Sequence, residues 1–293
     1  MKAVSSKMTQ AVWTRIVGNW RWLGGLAAAV VSLGLSPVMA APIPVPNGSF
    51  ESQVAPQTYP YVTTLIDSWQ KAPKPAWFDE ATFGVLWDQT AGLFQNTPVG
   101  MANHIDNMDG NQGLYMFTFP QVGLFQDYST VDWNDPAPTH AFNSTFQLGM
   151  SYQLTVGVIG GLGGMTDGAG LQLSLYYRDA GNNLVTVGAT PITYTTGSFP
   201  NANQFTDFSV TIPAVQAGDA WAGQNIGIGI VTTSGTGAGY WDLDNVRLTV
   251  IPEPGSAALL GIGLGAFFLR RLRRGSARRL LGERSLLDGG TRG

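Results

Sequence analysis

The chain of 293 residues contains no cysteine, only two histidines and four lysines, and just 12% of it is charged. Without cysteine there is no disulfide scaffold, no thiolate zinc site and no thiol nucleophile. The histidines, His104 and His140, stand far apart with no HExxH spacing, so each reads as a loop or strand residue rather than a metal ligand or catalytic base. There is no GxSxG elbow and no P-loop. The glycine-rich stretch 160–170 (GGLGGMTDGAG) leads into a strand pattern, not a helix, so it lacks the geometry that cradles phosphates. With no motif for catalysis, the chain reads as a non-enzyme. No convincing amphipathic helix occurs between Pro46 and Val250.

Basic residues are scarce where they would matter most. Residues 41–254 hold only Lys71, Lys74, Arg178 and Arg247 against seventeen acids, a net charge of −13. Phosphate neutralisation needs clustered Lys and Arg, so nucleic-acid binding by this region is excluded. The overall charge of −3 arises because the ends are basic. Residues 1–40 carry four basic side chains and no acid, and residues 255–293 carry eight arginines against Glu283 and Asp288.

Both ends read as addresses. Residues 1–40 have the anatomy of a secretory signal: a basic stretch ending at Arg21, an apolar run from Trp22 to Leu35, and Val38-Met39-Ala40 at the cleavage position. The run of 14 residues is short of the roughly 20 that span a bilayer. At the other end Pro252-Glu253-Pro254 precedes a 15-residue apolar run, Gly255–Leu269, and then Arg270, Arg271, Arg273 and Arg274. That run makes about 22 Å of helix, which spans a membrane only if the arginine stems snorkel. The ordered triple resembles the PEP-CTERM sorting signal of Gram-negative envelope proteins, with residues 251–274 as the sorting signal and 275–293 as a disordered cytoplasmic tail. The resemblance implies an exosortase-type processing enzyme as partner beside signal peptidase. It also implies delivery to the cell envelope, outer surface or extracellular matrix, with the C-terminal helix in the membrane before processing.

The middle, 41–250, reads as one all-β domain, a two-sheet antiparallel jelly-roll sandwich. Tyr152, Leu154, Val156 and Val158 alternate with polar or small residues. So do Leu171, Leu173, Leu175 and Tyr177, then Phe208, Val210 and Ile212, then Ile226, Ile228 and Ile230. Strict alternation places one face in a core and the other in water. The last strand breaks the rule: Trp241 and Leu243 have odd parity, whereas Val246, Leu248 and Val250 have even parity. A β-bulge near Asp244-Asn245 reconciles them, beside the acidic pair Asp242-x-Asp244.

Asn47-Gly48-Ser49-Phe50-Glu51 and Tyr240-Trp241-Asp242-Leu243-Asp244-Asn245-Val246-Arg247-Leu248 resemble the opening and closing strands of galactose-binding-like jelly rolls, a group rich in carbohydrate-binding modules. Asp109-Gly110-Asn111-Gln112 and Phe146–Leu154 are also similar to secreted members. The resemblance implies one structural calcium held by Glu51 and Asp244 with backbone carbonyls, and Asp242 as an extra ligand. Such oxygens suit a cation that takes six to eight hard ligands. The bland alternative is that Glu51 and Asp244 are solvated or pair with Arg247. Trp69 in Leu65–Gln70 reads as core, whereas Trp77 and Trp133, beside prolines and acids, are the candidates to stack on a sugar.

The expectation is therefore an exported, non-catalytic surface or matrix protein that binds polysaccharide. A structural or adhesive matrix protein without a ligand, and a secreted carbohydrate-active enzyme, are the alternatives. Cleavage after Ala40 predicts a mature product that begins at Ala41. Mass spectrometry of the N-terminal peptide checks this, and a product retaining residues 1–40 would contradict it.

Overall fold

A computed structural model describes residues 39–58, 61–132 and 135–252. Its strands, in chain order, are β1 (Ala41–Ile43), β2 (Val62–Thr63), β3 (Gln70–Lys71), β4 (Ala91–Gln95), β5 (Gln112–Phe117), β6 (Gly123–Gln126) and β7 (Val131–Asp132). They continue with β8 (Asp135–Pro138), β9 (Met150–Leu162), β10 (Gly170–Arg178), β11 (Leu184–Thr193), β12 (Thr206–Ile212), β13 (Gly227–Ser234) and β14 (Tyr240–Pro252). One α-helix, α1 (Glu80–Phe83), and a 3-10 turn at Trp87–Thr90 are the helical elements among the described residues. Antiparallel sheets dominate, as the alternating sequence requires. The first sheet runs β12-β9-β14-β5-β4-β2 with β1 added to the end of β14, and the second runs β11-β10-β13-β6-β3. No described helix is long and apolar enough to cross a membrane, and the apolar runs at both ends lie outside the described residues.

The sheets face each other across one core. Tyr152, Leu154, Val156 and Val158 of β9 are all buried in it, as are Leu171, Leu173 and Leu175 of β10 and Ile228 and Ile230 of β13. Trp69 is buried there too, with its indole N–H donating to the Asn47 carbonyl at 3.1 Å. Each such side chain contributes about 1.5–3 kcal/mol of burial. Glycines face them from the outer side of β13, where Tyr176 needs the room. A Cβ on Gly227 would collide with the Tyr176 ring. The β10–β11 register slips between Leu175 and Tyr176. Tyr176, not Tyr177, is the tyrosine most deeply buried here, and its hydroxyl donates to Asp127 Oδ2 at 2.6 Å. Tyr177, half-buried, packs against the core on the face of the leucines as its parity requires, while Tyr176 is buried on the opposite face.

Strand β14 carries the expected break. Its pairing with β9 shifts between Asp244 and Arg247, and Asn245 adopts a positive φ of 55°. Trp241 and Leu243 before the break and Val246 and Leu248 after it therefore all enter the core. Asp242 and Asp244 are left on the outer face of the first sheet. That placement sets up the site.

Filling the gap beside Tyr176 tests the packing. Gly227→Ala is expected to destabilise the fold by about 1–3 kcal/mol, because the ring is pinned by Asp127 and cannot yield freely. Urea unfolding reads this directly, and an unchanged midpoint would show that the ring is not held.

Candidate functional site

Four strands adjacent in the first sheet, β9, β14, β5 and β4, place their outward side chains side by side. Asp242 of β14 pairs across the strands with Tyr115 of β5, and Tyr240 pairs with Phe117. Phe94 of β4 and Leu162 of β9 flank them. These residues form the floor of a cavity of about 470 Å³. Thr97, Asn103 and Ile105 from one loop and Ala202 and Asn203 from another complete its wall. Phe117 lies 5.8 Å from the Tyr115 ring and 6.3 Å from the Tyr240 ring, so three aromatic faces line one patch. Gly92 makes the patch possible. It is paired with Tyr115, and a Cβ there would lie 2.7 Å from the Tyr115 hydroxyl.

Asp242 is the one acid in this lining. It is 4% exposed, and no described group hydrogen-bonds to its Oδ1. Burial alone holds its carboxyl well above the usual carboxylate range. Desolvation among apolar groups disfavours the charged carboxylate and shifts the balance toward the protonated acid. Its neighbours respond to the same environment. Burial, reinforced by the Asp242 charge, raises Tyr240. Burial pushes Tyr115 up to about 12, with Asp88 adding to the shift. Both phenols are therefore neutral at ordinary pH.

A second acidic cluster sits on the turn before β5. Glu51 Oε1 accepts from the Asn111 and Gln112 amides at 2.7 Å each, and Asp244 Oδ2 accepts from the Asp109 amide at 2.6 Å. Gly110, with φ of 103°, lets the Glu51 carboxylate press on the turn, where any Cβ would collide with it. Asp244 is pushed up to about 7 by burial, with the nearby Asp109 and Glu51 charges adding and the Asp109 and Asn245 amides opposing. A polar cavity of about 630 Å³ lies against this turn and shares Gln95, Thr97 and Ile105 with the apolar one.

The structure thus separates the three acids that sequence grouped as calcium ligands. Glu51 and Asp244 meet on one turn, whereas Asp242 lines the aromatic cavity. Among the described residues no group of three or more His, Cys, Asp or Glu side chains is arranged to hold a metal ion. Arg247 pairs with Asp207 at 2.6 Å rather than with either acid. Trp77 is 44% exposed, with Phe78 and Phe83 at its edge, while Trp133 lies outside the described residues. Pro252 ends β14, and Glu253, Pro254, Arg270, Arg271, Arg273 and Arg274 lie outside the described residues. Sequence reasoning missed Phe94, Tyr115, Phe117 and Tyr240. The visible signal was the alternation of Tyr115 and Phe117 along one strand.

An apolar, aromatic cavity around one buried acid makes this face of the β-sandwich the candidate site. The comparisons supply the class. A family model described as HpiC1-like, HpiC1 cyclase, matches residues 41–249, and the chain belongs to this cyclase family. Among solved structures, a cyclase from Fischerella sp. TAU shares 21% identity at a TM-score of 0.50, covering 73% of this chain and 98% of its own. The Stig cyclase Fisc from the same source, in complex with (3Z)-3-(1-methyl-2-pyrrolidinylidene)-3H-indole, shares 20% identity at a TM-score of 0.50, covering 73% of this chain and 99% of its own. A third cyclase structure from Fischerella sp. TAU, in complex with 4-(1H-indol-3-yl)butan-2-one, shares 20% identity at a TM-score of 0.50, covering 72% and 98%. At such identities the likeness shows the fold. No curated protein matches the chain.

These findings correct the sequence reading. The family that matches is a cyclase family, not a PEP-CTERM sorting protein carrying a carbohydrate-binding module. Cyclases are enzymes, so the expectation of a non-catalytic polysaccharide-binding matrix protein is overturned. A xylan-binding domain from Paenibacillus barcinonensis superposes at a TM-score of only 0.34, which carries no argument for sugar binding. The physical reason for the error is that motif absence was read as absence of chemistry. A single buried acid needs no motif.

The raised Asp242 has a measurable cost. Its folded form resists ionisation, so wild-type stability falls as pH rises above the unfolded carboxylate value. Asp242→Asn removes that penalty. The variant is expected to melt higher than wild type at pH 8, with the gap closing on acidification toward pH 4. Thermal denaturation across pH checks this, and a variant that melts lower at pH 8 would mean Asp242 has a stabilising partner.

Proposed function

We propose that the protein is an acid-initiated cyclase whose general acid is Asp242. The observation that carries this is the buried, unpartnered Asp242 carboxyl on the floor of an aromatic cavity. Membership in the cyclase family supports it. The substrate class is an indole bearing an unsaturated side chain, a reading supported by the indole compounds held by the Fischerella cyclases. A substrate π bond takes the Asp242 proton, leaving a carbocation and a carboxylate. A second π system closes the ring on the cation, and a proton returns from the cyclised cation to Asp242. Substrate and product are isomers, and the acid is regenerated. Phe94, Tyr115, Phe117 and Tyr240 present π faces to the cation, each worth about 0.5–2 kcal/mol at desolvated sites. The new carboxylate stabilises the cation further in a medium where charges are poorly screened.

The jelly-roll topology and a structural calcium belong to the same reading. Glu51 and Asp244 would hold the cation with backbone carbonyls, and Asp242 is released from the ligand set. The fit rests on Asp244, which is buried beside two other carboxylates in an environment that a divalent cation relieves. When bound, calcium would tie the 109–112 turn to β14 and supply no chemistry to the cavity. Export through the N-terminal signal is part of the proposal too.

General acids contribute about 10²–10⁴-fold to rate. Asp242→Asn is expected to lower kcat at least 100-fold on an indole with an unsaturated side chain while substrate binding persists. Wild-type kcat is expected to hold steady on the acid side and to fall as pH rises through the raised Asp242 value, since only the protonated form acts. An unaffected Asp242→Asn variant, or a rate that climbs with pH, would sink the assignment. For calcium, the melting temperature is expected to rise by several degrees in calcium over EDTA, following mass-action stabilisation of about 2.7 kcal/mol at 100 Kd. Glu51→Gln should abolish that rise and Asp242→Asn should keep it, whereas loss in Asp242→Asn would restore Asp242 as a ligand.

A further inference from the structure

The wall of the apolar cavity is made by two loops that are nearly a hundred residues apart in sequence, and asparagine side chains sew them together. Asn107 spends both ends of its amide on one residue: its Nδ2 donates to the Phe205 carbonyl at 3.0 Å, and its Oδ1 accepts from the Phe205 amide at 2.8 Å. Asn203 works in the opposite direction. Its Nδ2 donates to the Ala102 carbonyl at 2.8 Å and the His104 carbonyl at 2.7 Å, and its backbone carbonyl accepts from the Asp106 amide at 2.9 Å. Asn96 closes the neck of the first loop with the same two-ended pattern, donating to the Ile105 carbonyl and accepting from the Ile105 amide at 2.9 Å each. Each pair reproduces what neighbouring strands exchange, without a strand.

What these bonds position is apolar. Ile105 and Phe205 are buried against Ile159 in a cluster separate from the main core, with Phe94, Met108 and Leu162 packed on it. Phe94, Ile105 and Leu162 of that cluster also line the cavity that holds Asp242. Asn107 is exposed and ties the loops from the solvent side, whereas Asn203 is half-buried and itself lines the cavity beside the apolar cluster. A carbocation generated in the cavity reacts with any water that enters, forming a C–O bond and releasing a proton in place of ring closure. Two loops tied together by these bonds and packed through the apolar cluster limit that loss.

We infer that Asn107 and Asn203, with Asn96, are positioning residues that hold the cavity wall shut against water beside Asp242. The inference rests on the acid-cyclase reading for its purpose but not for its measurement. The probe is 5-fluoroindole, bound to the full chain and observed by fluorine NMR in H₂O and in D₂O. The difference in chemical shift between the two solvents reports how much water touches the probe. Wild type and Asp242→Asn are expected to show a small difference. Asn107→Ala and Asn203→Ala are each expected to at least double it and to speed hydrogen exchange of the Phe205 or Asp106 amide at least tenfold. Tyr176→Phe, which loses a buried bond in the other sheet, controls for general loosening and should leave the difference unchanged.

On an indole substrate with an unsaturated side chain, the asparagine variants should shift product from the cyclised isomer to its hydrate, 18 mass units heavier, more than they change KM. The proposal is overturned if the amides exchange faster while the solvent difference and the product partition stay at wild-type values. It is overturned equally if Tyr176→Phe wets the probe as much as the asparagine variants do, or if wild type fails to hold the probe. Should Asn107→Ala fail to fold, Asn203→Ala, which keeps the backbone bond to Asp106, carries the same test. An Asp242→Asn variant that still turns over would defeat the acid assignment and leave the wall intact, so the two failures are distinguishable.

Discussion

Strand β14 has to serve two media at once. Its inner face must fill the core with Trp241, Leu243, Val246 and Leu248, and a strict period of two cannot supply that set. The bulge at Asn245 resolves the conflict, and everything functional follows from it. Before the bulge, two acids stand on the outer face of a central strand, flanked by β9 and β5, where neither can reach bulk water easily. Central placement is what desolvates them. On an edge strand the same Asp-x-Asp would be two ordinary surface carboxylates.

Desolvation then sorts the two acids by their partners. Asp244 accepts backbone amides from Asp109 and Asn245, so its charged form is partly compensated and it sits near 7. Asp242 has no such donor at Oδ1 and faces aromatic rings. Two residues on one strand, with identical side chains, thereby acquire different chemistry. One carboxylate is met by backbone amides, and the other faces rings with no donor at Oδ1.

Much of the fold was legible in sequence because burial writes itself at period two. The alternating runs of β9, β10, β12 and β13 were visible as strings, and the parity break in β14 exposed the bulge. The meeting of Glu51 with Asp244 was also readable, through the resemblance of the first and last strands to jelly rolls. The cavity was not. Its floor draws one or two residues from each of four strands, and its wall comes from loops around 97–105 and 202–203, so no local window contains it. Nor does any sequence signal report that Asp242 lacks a partner, since the missing bond depends on what faces it across β5. Trp77 drew attention to sugars, whereas the rings that line this cavity are Phe and Tyr on strand faces. Their alternation was indistinguishable from ordinary core packing.

Gly92 has a reach beyond its size. It never faces the cavity with a side chain of its own, yet it supplies the space into which the Tyr115 hydroxyl settles. The depth at which that ring lies sets how far the aromatic floor is sunk. A hydrogen atom at position 92 thus sets the contour of the cavity floor.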